Sequence, residues 1–281
     1  MLTISKPLSA TQARAYHAEE FSNARENYYT AADQIRGQWH GQLARQWDLV
    51  GDVRDDQFQR LAEGQHPVTG ASLVRHRTPC TYTNERGHSV TTMAHRARWD
   101  ATFSAPKSVS LTALVGGDQR VRRAHEESVG VALDELERYV QARLGNHPAE
   151  ATGQWVAARF EHDSARPVDG YAAPQLHTHV VVFNLTQTET GEIRPVQPRE
   201  LYKTQQYATA VYRAELAIRL QDLGYAIERG EHGQPEIHGY SAAYLEASSP
   251  RRQQIEAYLE QQDRHGAGPA QIAAHQTREA K

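Results

Sequence analysis

The sequence predicts an α+β fold of two layers, in which a central antiparallel sheet carries a cluster of histidines and helices pack on the sheet. Two apolar segments, 155–162 and 176–185, are rich in β-branched residues and are joined by a loop containing Pro, Gly and Asp, as expected for neighbouring strands. Long amphipathic stretches separate these and other strand-like segments, which is typical of helices packed on an antiparallel or mixed sheet. The polar stretch from Ser241 onward predicts an additional helical C-terminal segment.

The first part of the chain alternates short strands and helices. In chain order we predict a strand at 2–5, a helix from the capping box Ser9-x-x-Gln12 to about Asn23, two short helices within 38–64, hairpins over 66–98 and a strand at 99–104. We expect the two short helices to bury Trp39, Leu43, Trp47, Phe58 and Leu61.

The second part carries longer helices. Pro106 is suited to the first position of a helix that ends at Gly116-Gly117. A long amphipathic helix is predicted over about 118–144, with one apolar face formed by Val121, Val129, Leu133, Leu136 and Val140. Beyond the histidine strands we predict a turn at 190–192, a short strand, a helix at 198–223 and a hairpin around 230–233.

Composition bounds the class of protein. A chain of 281 residues with 39% hydrophobic and 23% charged residues is long enough to bury a proper core. No apolar run approaches the roughly 18–20 residues that a membrane helix needs, and the N-terminus lacks the apolar region of a signal peptide. Cys80 is the single cysteine, so we expect a protein of the reducing cytoplasm. A net charge of −3 argues against a protein that coats nucleic acid indiscriminately.

Three histidines are the candidate metal ligands. On a strand, residues i and i+2 share a face, so His177 and His179 point the same way. An antiparallel pairing of the two strands would bring His162 beside them, and three imidazoles would then form a metal site with an open side. A His-x-His pair alone is more often a coincidence or a core feature, but the third histidine and the absence of nearby thiols favour a metal site.

A basic stretch suggests contact with nucleic acid. Between Val74 and Trp99 there are one acidic residue, Glu85, and five arginines: Arg75, Arg77, Arg86, Arg96 and Arg98. Tyr82 lies in the same stretch, and arginine planes combined with an aromatic ring suit single-stranded nucleic acid. A solvated hairpin surface explains the pattern equally well from these residues alone.

Two further features carry possible chemistry. Tyr16 and Tyr28, the latter followed by Tyr29, lie near the N-terminus, but a tyrosine with a pKa near 10 is a poor nucleophile without a base or a positive field. Asp100 begins a strand, where an aspartate is usually a turn or capping residue. From spacing alone, both features favour ordinary structural roles.

Two long motifs change that interpretation. Phe103-Ser-Ala-Pro-Lys-Ser-Val-Ser110 follows Asp100, and Pro174-Gln-Leu-His-Thr-His179 lies downstream of His162. Together they resemble the relaxase domain of MobF-type conjugative relaxase–helicases, in the HUH endonuclease superfamily, over nearly the whole chain. The resemblance implies an antiparallel sheet carrying a His-hydrophobic-His centre, whose middle place Thr178 occupies here. It also implies a catalytic core at 1–240 and a helical segment at 241–281 that covers DNA, cut from a longer multidomain protein.

The resemblance assigns roles to individual residues. It implies that the metal ligands are His162, His177 and His179, and that the catalytic residues are Tyr16, Tyr28 and Asp100. Tyr16 matches the first nucleophile, Tyr28 (or the adjacent Tyr29) a second strand transfer, and Asp100 an acid that activates tyrosine or orients a metal-binding histidine. We expect DNA contacts from Arg75, Arg77, Lys107 and Arg166. His17 stands where the family often has the second tyrosine of a doublet, which leaves a single nucleophile there.

The function implied is that of a relaxase that nicks one strand at a plasmid origin of transfer, through a 5′-phosphotyrosine intermediate, and rejoins it after transfer. The expected cofactor is a divalent metal, Mg or Mn, with Zn, Ni or Cu possible on three imidazoles. The expected partners are origin DNA as single strand and hairpin, a helicase domain C-terminal to this segment, conjugation accessory proteins and a coupling protein, with no membrane span. Two alternatives stay open: a rolling-circle replication initiator, disfavoured because the tyrosines precede the histidines, and a non-catalytic hairpin-DNA-binding domain.

Overall fold

The structure is a computed structural model, and it describes residues 1–8, 37–74, 81–84, 87–91, 96–263, 270, 273–274 and 277. Its strands are β1 (Leu2–Ile4), β2 (Gly37–His40), β3 (Thr81–Thr83), β4 (Ser89–Thr91), β5 (Arg98–Ser104), β6 (Gln141–Ala142), β7 (Glu150–Ala151), β8 (Ala157–Ser164), β9 (Pro174–Phe183), β10 (Thr186–Gln187), β11 (Ile193–Arg194), β12 (Ile227–Arg229) and β13 (Pro235–Ile237). Its helices are α1 (Gln42–Gln46), α2 (Asp55–Ala62), α3 (Lys107–Leu114), α4 (Gln119–Glu137), α5 (Pro198–Asp222), α6 (Ala242–Ala247) and α7 (Pro250–Gln261).

The centre of the described chain is an antiparallel sheet of five strands in the order β1-β5-β9-β8-β2. The ten-residue strand β9 lies in the middle, hydrogen-bonded to β5 on one side and β8 on the other. Its unbroken run from Val180 to Phe183 is buried, as expected where both faces of a strand are covered. The predicted α+β fold with a central antiparallel sheet is confirmed.

One face of the sheet is covered by the long helices α3, α4 and α5. Alternate residues of β5, namely Trp99, Ala101 and Phe103, enter this core cluster with apolar residues of the three helices. The predicted apolar face of α4 is buried there, as are Leu201, Ala208, Tyr212, Leu216 and Leu220 of α5. Among the helices of the described residues, none has the length and apolar character needed to cross a membrane.

The opposite face carries a second core cluster, which α1 and α2 cover near one end of the sheet. Phe58 of α2 is fully buried and contacts two aromatic rings of the sheet edge-on: Phe160 at 6.1 Å and Phe183 at 5.1 Å between ring centroids. This cluster leaves the remaining part of the same face, beyond Phe160, to the histidines.

Three boundaries differ from the prediction. Trp39 lies on strand β2 rather than on a helix, because Gly37–His40 pairs with the edge of β8 and directs Trp39 into the second core. Helix α4 ends at Glu137 rather than near residue 144, because Gln141–Ala142 pairs with β7. Pro106 lies immediately before the first residue of α3, instead of at the first helical position.

The hairpin β12–β13 is tied to the start of α3. Glu236, buried on β13, accepts hydrogen bonds from the backbone N–H of Ser108 (3.2 Å) and from its hydroxyl. The hydroxyl oxygen of Ser108 in turn accepts the backbone N–H of Ile237 at 2.8 Å. The first N–H groups of a helix have no partner within it, so a carboxylate from a distant hairpin completes this helix terminus.

A polar chain crosses the otherwise apolar layer between the helices and the sheet. His125 of α4 is fully buried, with its Nδ1 2.8 Å from the hydroxyl of Tyr212 and its Nε2 2.9 Å from the hydroxyl of Thr178. Burial lowers the pKa of His125 to about 3, with nearby positive charges acting in the same direction. The imidazole is therefore neutral at pH 7, with one ring nitrogen donating and the other accepting.

We expect Phe58→Ala to lower the free energy of unfolding by about 3–5 kcal/mol, because it leaves a cavity between two sheet aromatics. Urea denaturation of the purified chain measures this loss. Val68→Ala is the matched control, because Val68 is 57% exposed, and its effect should stay within about 0.5 kcal/mol. A loss below about 1 kcal/mol for Phe58→Ala would contradict the described packing.

We expect acid to destabilise the fold partly through His125. The unfolded chain binds a proton at this histidine below pH 6.5 and the folded chain only near pH 3, so stability falls as pH drops through that window. Between pH 8 and pH 5 the stability advantage of the wild type over His125→Gln should shrink by about 2 kcal/mol. Urea denaturation of both proteins in EDTA at the two pH values tests this, and an unchanged difference would contradict it.

Candidate metal centre

Three histidines meet on one face of the sheet. In the register of β8 and β9, His162 lies directly opposite His177, and His179 follows two residues along on the same face. The ring centroids are 5.2 Å apart for His162 and His177, 5.0 Å for His162 and His179, and 5.1 Å for His177 and His179. The pairing expected from the sequence is confirmed, and it produces a nearly equilateral triangle of imidazoles, here called the histidine triad.

Two rings of the triad are held through Nδ1. His179 Nδ1 lies 2.9 Å from Oδ2 of Asp100 and 3.2 Å from the hydroxyl of Thr102. His177 Nδ1 lies 2.9 Å from the backbone carbonyl of Gln175. A carbonyl or carboxylate oxygen only accepts, so in the neutral rings Nδ1 carries the proton and Nε2 keeps its lone pair.

The electrostatics keep His177 neutral. Burial is the main cause, and the neighbouring His179 the second, of a pKa lowered to about 3 for His177. The positive charge of Arg166, in the loop between β8 and β9, acts in the same direction to a smaller extent. A neutral imidazole at pH 7 has the lone pair that metal binding requires.

The spacing of the rings suits a single metal ion. With a bond from metal to Nε2 of about 2.1 Å, a ring centroid lies about 3.2 Å from the metal, so tetrahedral ligands have centroids roughly 5.2 Å apart. The three observed distances, 5.0 to 5.2 Å, match this value. Asp100 and the carbonyl of Gln175 take the positions of the outer partners that orient metal-bound histidines. The residues present therefore fit a divalent metal.

A second group of possible ligands lies elsewhere and has a structural role. Atoms of His40, Asp134 and Glu137 lie within 4.8 Å of one another. His40 pairs with Ala157, five residues along β8 from His162, so the group is remote from the triad. Glu137 Oε1 accepts the backbone N–H groups of Gln42 and Trp155 at 2.7 and 2.9 Å.

Two arginine side chains already supply positive charge to this second group of possible ligands. A hydrogen bond with His40 is the main cause of a lowered pKa of Asp134, and the positive charges of Arg45 and Arg159 act in the same direction. Burial raises the pKa of Glu137, and the charge of Arg45 opposes that shift. A cation there would compete with two guanidinium groups. The group is best understood as the junction between α4, α1 and the segment entering β8.

Two residues predicted to contact DNA lie close to the triad strands. Arg166 follows β8, and Lys107 begins α3, where its Nζ donates to the carbonyl of Pro174 at 2.9 Å. Burial lowers the pKa of Lys107 to about 8, while Glu236 opposes this shift. Lys107 thus joins the start of α3 to the start of β9, and its contact with DNA stays a prediction, as does that of Arg166.

The remaining predicted site residues, Tyr16, Tyr28, Arg75 and Arg77, lie outside the described residues, as does Tyr29. Sequence reasoning missed the supporting roles of Thr102 and Gln175. A signal for Thr102 was present, since it lies two positions after Asp100 on the same strand and so shares its face. The contact of Gln175 is made by its backbone, for which its residue type gives no signal.

Comparison with known proteins shows the family. Residues 10–281 match the family described as TrwC relaxase. The chain is 37% identical over 268 residues to the multifunctional conjugation protein TraI of Escherichia coli, a match that covers 91% of this chain and 14% of TraI. A solved structure of conjugative relaxase TrwC in complex with oriT DNA, in a metal-bound form, is similar with a TM-score of 0.81 at 30% identity, covering 100% of this chain and 92% of that one.

A second TrwC structure contains a 27-mer DNA comprising the recognition hairpin and the cleavage site. It is similar with a TM-score of 0.77 at 29% identity and covers 100% of this chain and 91% of that one. The family match extends across most of the sequence, including all three histidines. The chain spans about 14% of the length of TraI but nearly all of the TrwC chains, and it belongs to the TrwC relaxase family.

Proposed function

We propose that this chain is the relaxase domain of a conjugation protein, which nicks one strand at an origin of transfer and later rejoins it. The observation that carries the proposal is the histidine triad, with two rings oriented by Asp100 and Gln175, in a member of the TrwC relaxase family. The relatives support the substrate, because TrwC is described in complex with oriT DNA and TraI as a conjugation protein.

In the proposed reaction the phenolic oxygen of Tyr16 attacks the scissile phosphorus. A bond forms between Tyr16 Oη and phosphorus while the bond from phosphorus to the 3′ oxygen breaks. The phenol gives up its proton, and the leaving 3′ oxygen takes one up to become a hydroxyl. The product is a 5′-phosphotyrosine, and because a phosphodiester replaces a phosphodiester, attack by a 3′-OH can restore the strand.

The contacts of Asp100 support one of the two roles expected for it. Both of its carboxylate oxygens lie within 3.1 Å of Nδ1 of His179, and its backbone N–H donates to the hydroxyl of Ser5 at 2.9 Å. A carboxylate engaged in this way orients the ring and fixes its protonated nitrogen. We therefore favour Asp100 as a positioning group for His179 over Asp100 as the base that removes the proton of Tyr16.

The three imidazoles would bind a divalent metal as neutral ligands, so no protein anion in direct contact would compensate the charge of the metal. When bound, the metal would supply Lewis-acid polarisation of a non-bridging phosphate oxygen. Imidazole ligands suit Mn, Zn, Ni or Cu by softness, while Mg or Mn is our choice for the ion in use. The positive charge of Arg166 acts on His177, and we expect it to attract the phosphate as well.

The organisation of the chain extends the proposal. Residues 1–240 would form the catalytic core, and the helical segment 241–281, which includes α6 and α7, would cover bound DNA. We infer a cytoplasmic protein whose partners are single-stranded and hairpin origin DNA, a helicase domain, accessory proteins and a coupling protein. The limited share of TraI that this chain matches supports a multidomain context.

We expect Tyr16→Phe to abolish nicking of a supercoiled origin plasmid and to abolish the covalent protein–DNA adduct, because it removes the attacking oxygen. Denaturing gel electrophoresis and the mass of the conjugate with a single-stranded oligonucleotide measure both effects. Tyr28→Phe is the matched control, and its first cleavage should be retained. Normal adduct formation by Tyr16→Phe would exclude Tyr16 as the nucleophile.

We expect EDTA to stop nicking while leaving most of the affinity for origin DNA, since phosphate and base contacts supply most of that affinity. Plasmid nicking and fluorescence anisotropy with a labelled hairpin oligonucleotide separate the two effects. Asp100→Asn should raise the Mn²⁺ concentration needed for half-maximal nicking by about 10- to 100-fold, because the ring of His179 loses its anionic partner. Full nicking in EDTA would rule out the proposed metal dependence.

A further inference from the structure

Thr178 stands between the two triad residues of β9, and its side chain points away from them. On this opposite face its neighbours Leu176, Val180 and Val182 belong to the apolar core under the helices. Thr178 is 4% exposed, and its hydroxyl lies 2.9 Å from Nε2 of His125. The residue between the candidate ligands is thus hydrogen-bonded to helix α4.

The partner of Thr178 is itself firmly held. His125 and Tyr212 are both fully buried, and Nδ1 of His125 lies 2.8 Å from the hydroxyl of Tyr212. Their rings meet edge-on at 5.6 Å and 86°, and Tyr212 also packs on Phe103 of β5 at 5.5 Å. Thr178, His125 and Tyr212, here called the rear chain, therefore join the middle of β9 to both long helices.

Filling space does not require this arrangement. Valine has nearly the shape of threonine, and Val180 and Val182 follow Thr178 on the same face of β9. Apolar contacts are non-directional, whereas a hydrogen bond fixes both a distance and an angle. What the rear chain adds to simple packing is a fixed position for the backbone of residue 178.

We propose that the rear chain positions the histidine triad for metal binding, with Thr178 as its positioning residue. The inference rests on the proposed function of the triad as a metal site. Contacts at Nδ1 set the orientation of the two rings, but the distance between the rings also depends on the pleat of β9 between residues 177 and 179. Anchoring residue 178 from behind holds that pleat, and with it the spacing of the two imidazoles.

The experiment measures Mn²⁺ affinity of the full chain by titration calorimetry. Thr178→Val keeps the shape and removes the hydroxyl, and we expect it to raise the Kd for Mn²⁺ by about 3- to 10-fold, less than the 10- to 100-fold typical of partners bonded directly to a ligand. Thr178→Ser restores the hydroxyl and should bind within about twofold of the wild type. Nicking by Thr178→Val should approach the wild-type rate at saturating Mn²⁺.

Thr112→Val is the matched control. Thr112, on helix α3, is also a buried threonine. Its hydroxyl forms hydrogen bonds with the carbonyl of Ser108 and with the hydroxyl of Tyr240, both at 2.9 Å. The same chemical change there should leave the Kd for Mn²⁺ at its wild-type value. A rise in Kd as large in Thr112→Val as in Thr178→Val would show a general loss of stability and overturn the proposal.

An unchanged Kd in Thr178→Val would overturn the positioning role and leave the metal site intact. If the wild type and His177→Ala bind Mn²⁺ equally poorly, the metal function of the triad fails, and the positioning role fails with it. Should Thr178→Val not fold, Tyr212→Phe removes only the far oxygen of the rear chain. We expect a smaller rise in Kd there, and an unchanged Kd in that variant would also overturn the proposal.

Discussion

The antiparallel pairing of β8 with β9 is the constraint on which the candidate site depends. It places His162 opposite His177 in the centre of the sheet, and the two-residue period of the strand then places His179 on the same face. A slip of one residue in this register would turn one set of rings into the helix layer. Leu176 opposes such a slip, because this side chain would leave the core under the helices for the face that carries the histidines, whereas Val180–Phe183 would only exchange one core for the other.

Burial and hydrogen bonding act together on the triad. Burial lowers the pKa of His177, and acceptor oxygens at Nδ1 of His177 and His179 leave Nε2 as the lone-pair nitrogen. The same environment that makes a charged imidazole unfavourable therefore prepares a neutral one to bind a cation. The two acceptors come from different strands, since β5 supplies the carboxylate of Asp100 and β9 itself supplies the carbonyl of Gln175.

Local patterns in the sequence predicted much of this structure. The alternation and β-branched content of 155–185 were enough to predict the two histidine strands and their pairing. The apolar spacing of α4 was enough to predict which face of the helix is buried. The end of α4 was wrong because apolar periodicity continued through Val140, which is buried although it lies beyond the helix. Trp39 was assigned to a helix because its partner strand is more than a hundred residues away in sequence.

The supporting residues were harder to find, for a physical reason. His125 falls on the apolar stripe of α4, four residues from both Val121 and Val129, and the sequence alone does not reveal that its partners lie 53 and 87 residues away. Residue roles implied by resemblance, such as those of Tyr16 and Tyr28, do not follow from local patterning at all. These roles come from the family resemblance, and the two long motifs are what make that resemblance recognisable in the sequence.

The bond between Glu236 and the start of α3 has a consequence for how this protein can be shortened. A fragment ending before β13 would lose the carboxylate that accepts two hydrogen bonds from Ser108, and the adjacent Lys107 would lose the negative charge of Glu236 that acts on it. Because α3 packs against β9, the damage would reach the strand that carries two of the three imidazoles. The smallest autonomous unit must therefore retain the hairpin β12–β13, however little that hairpin contributes to the chemistry.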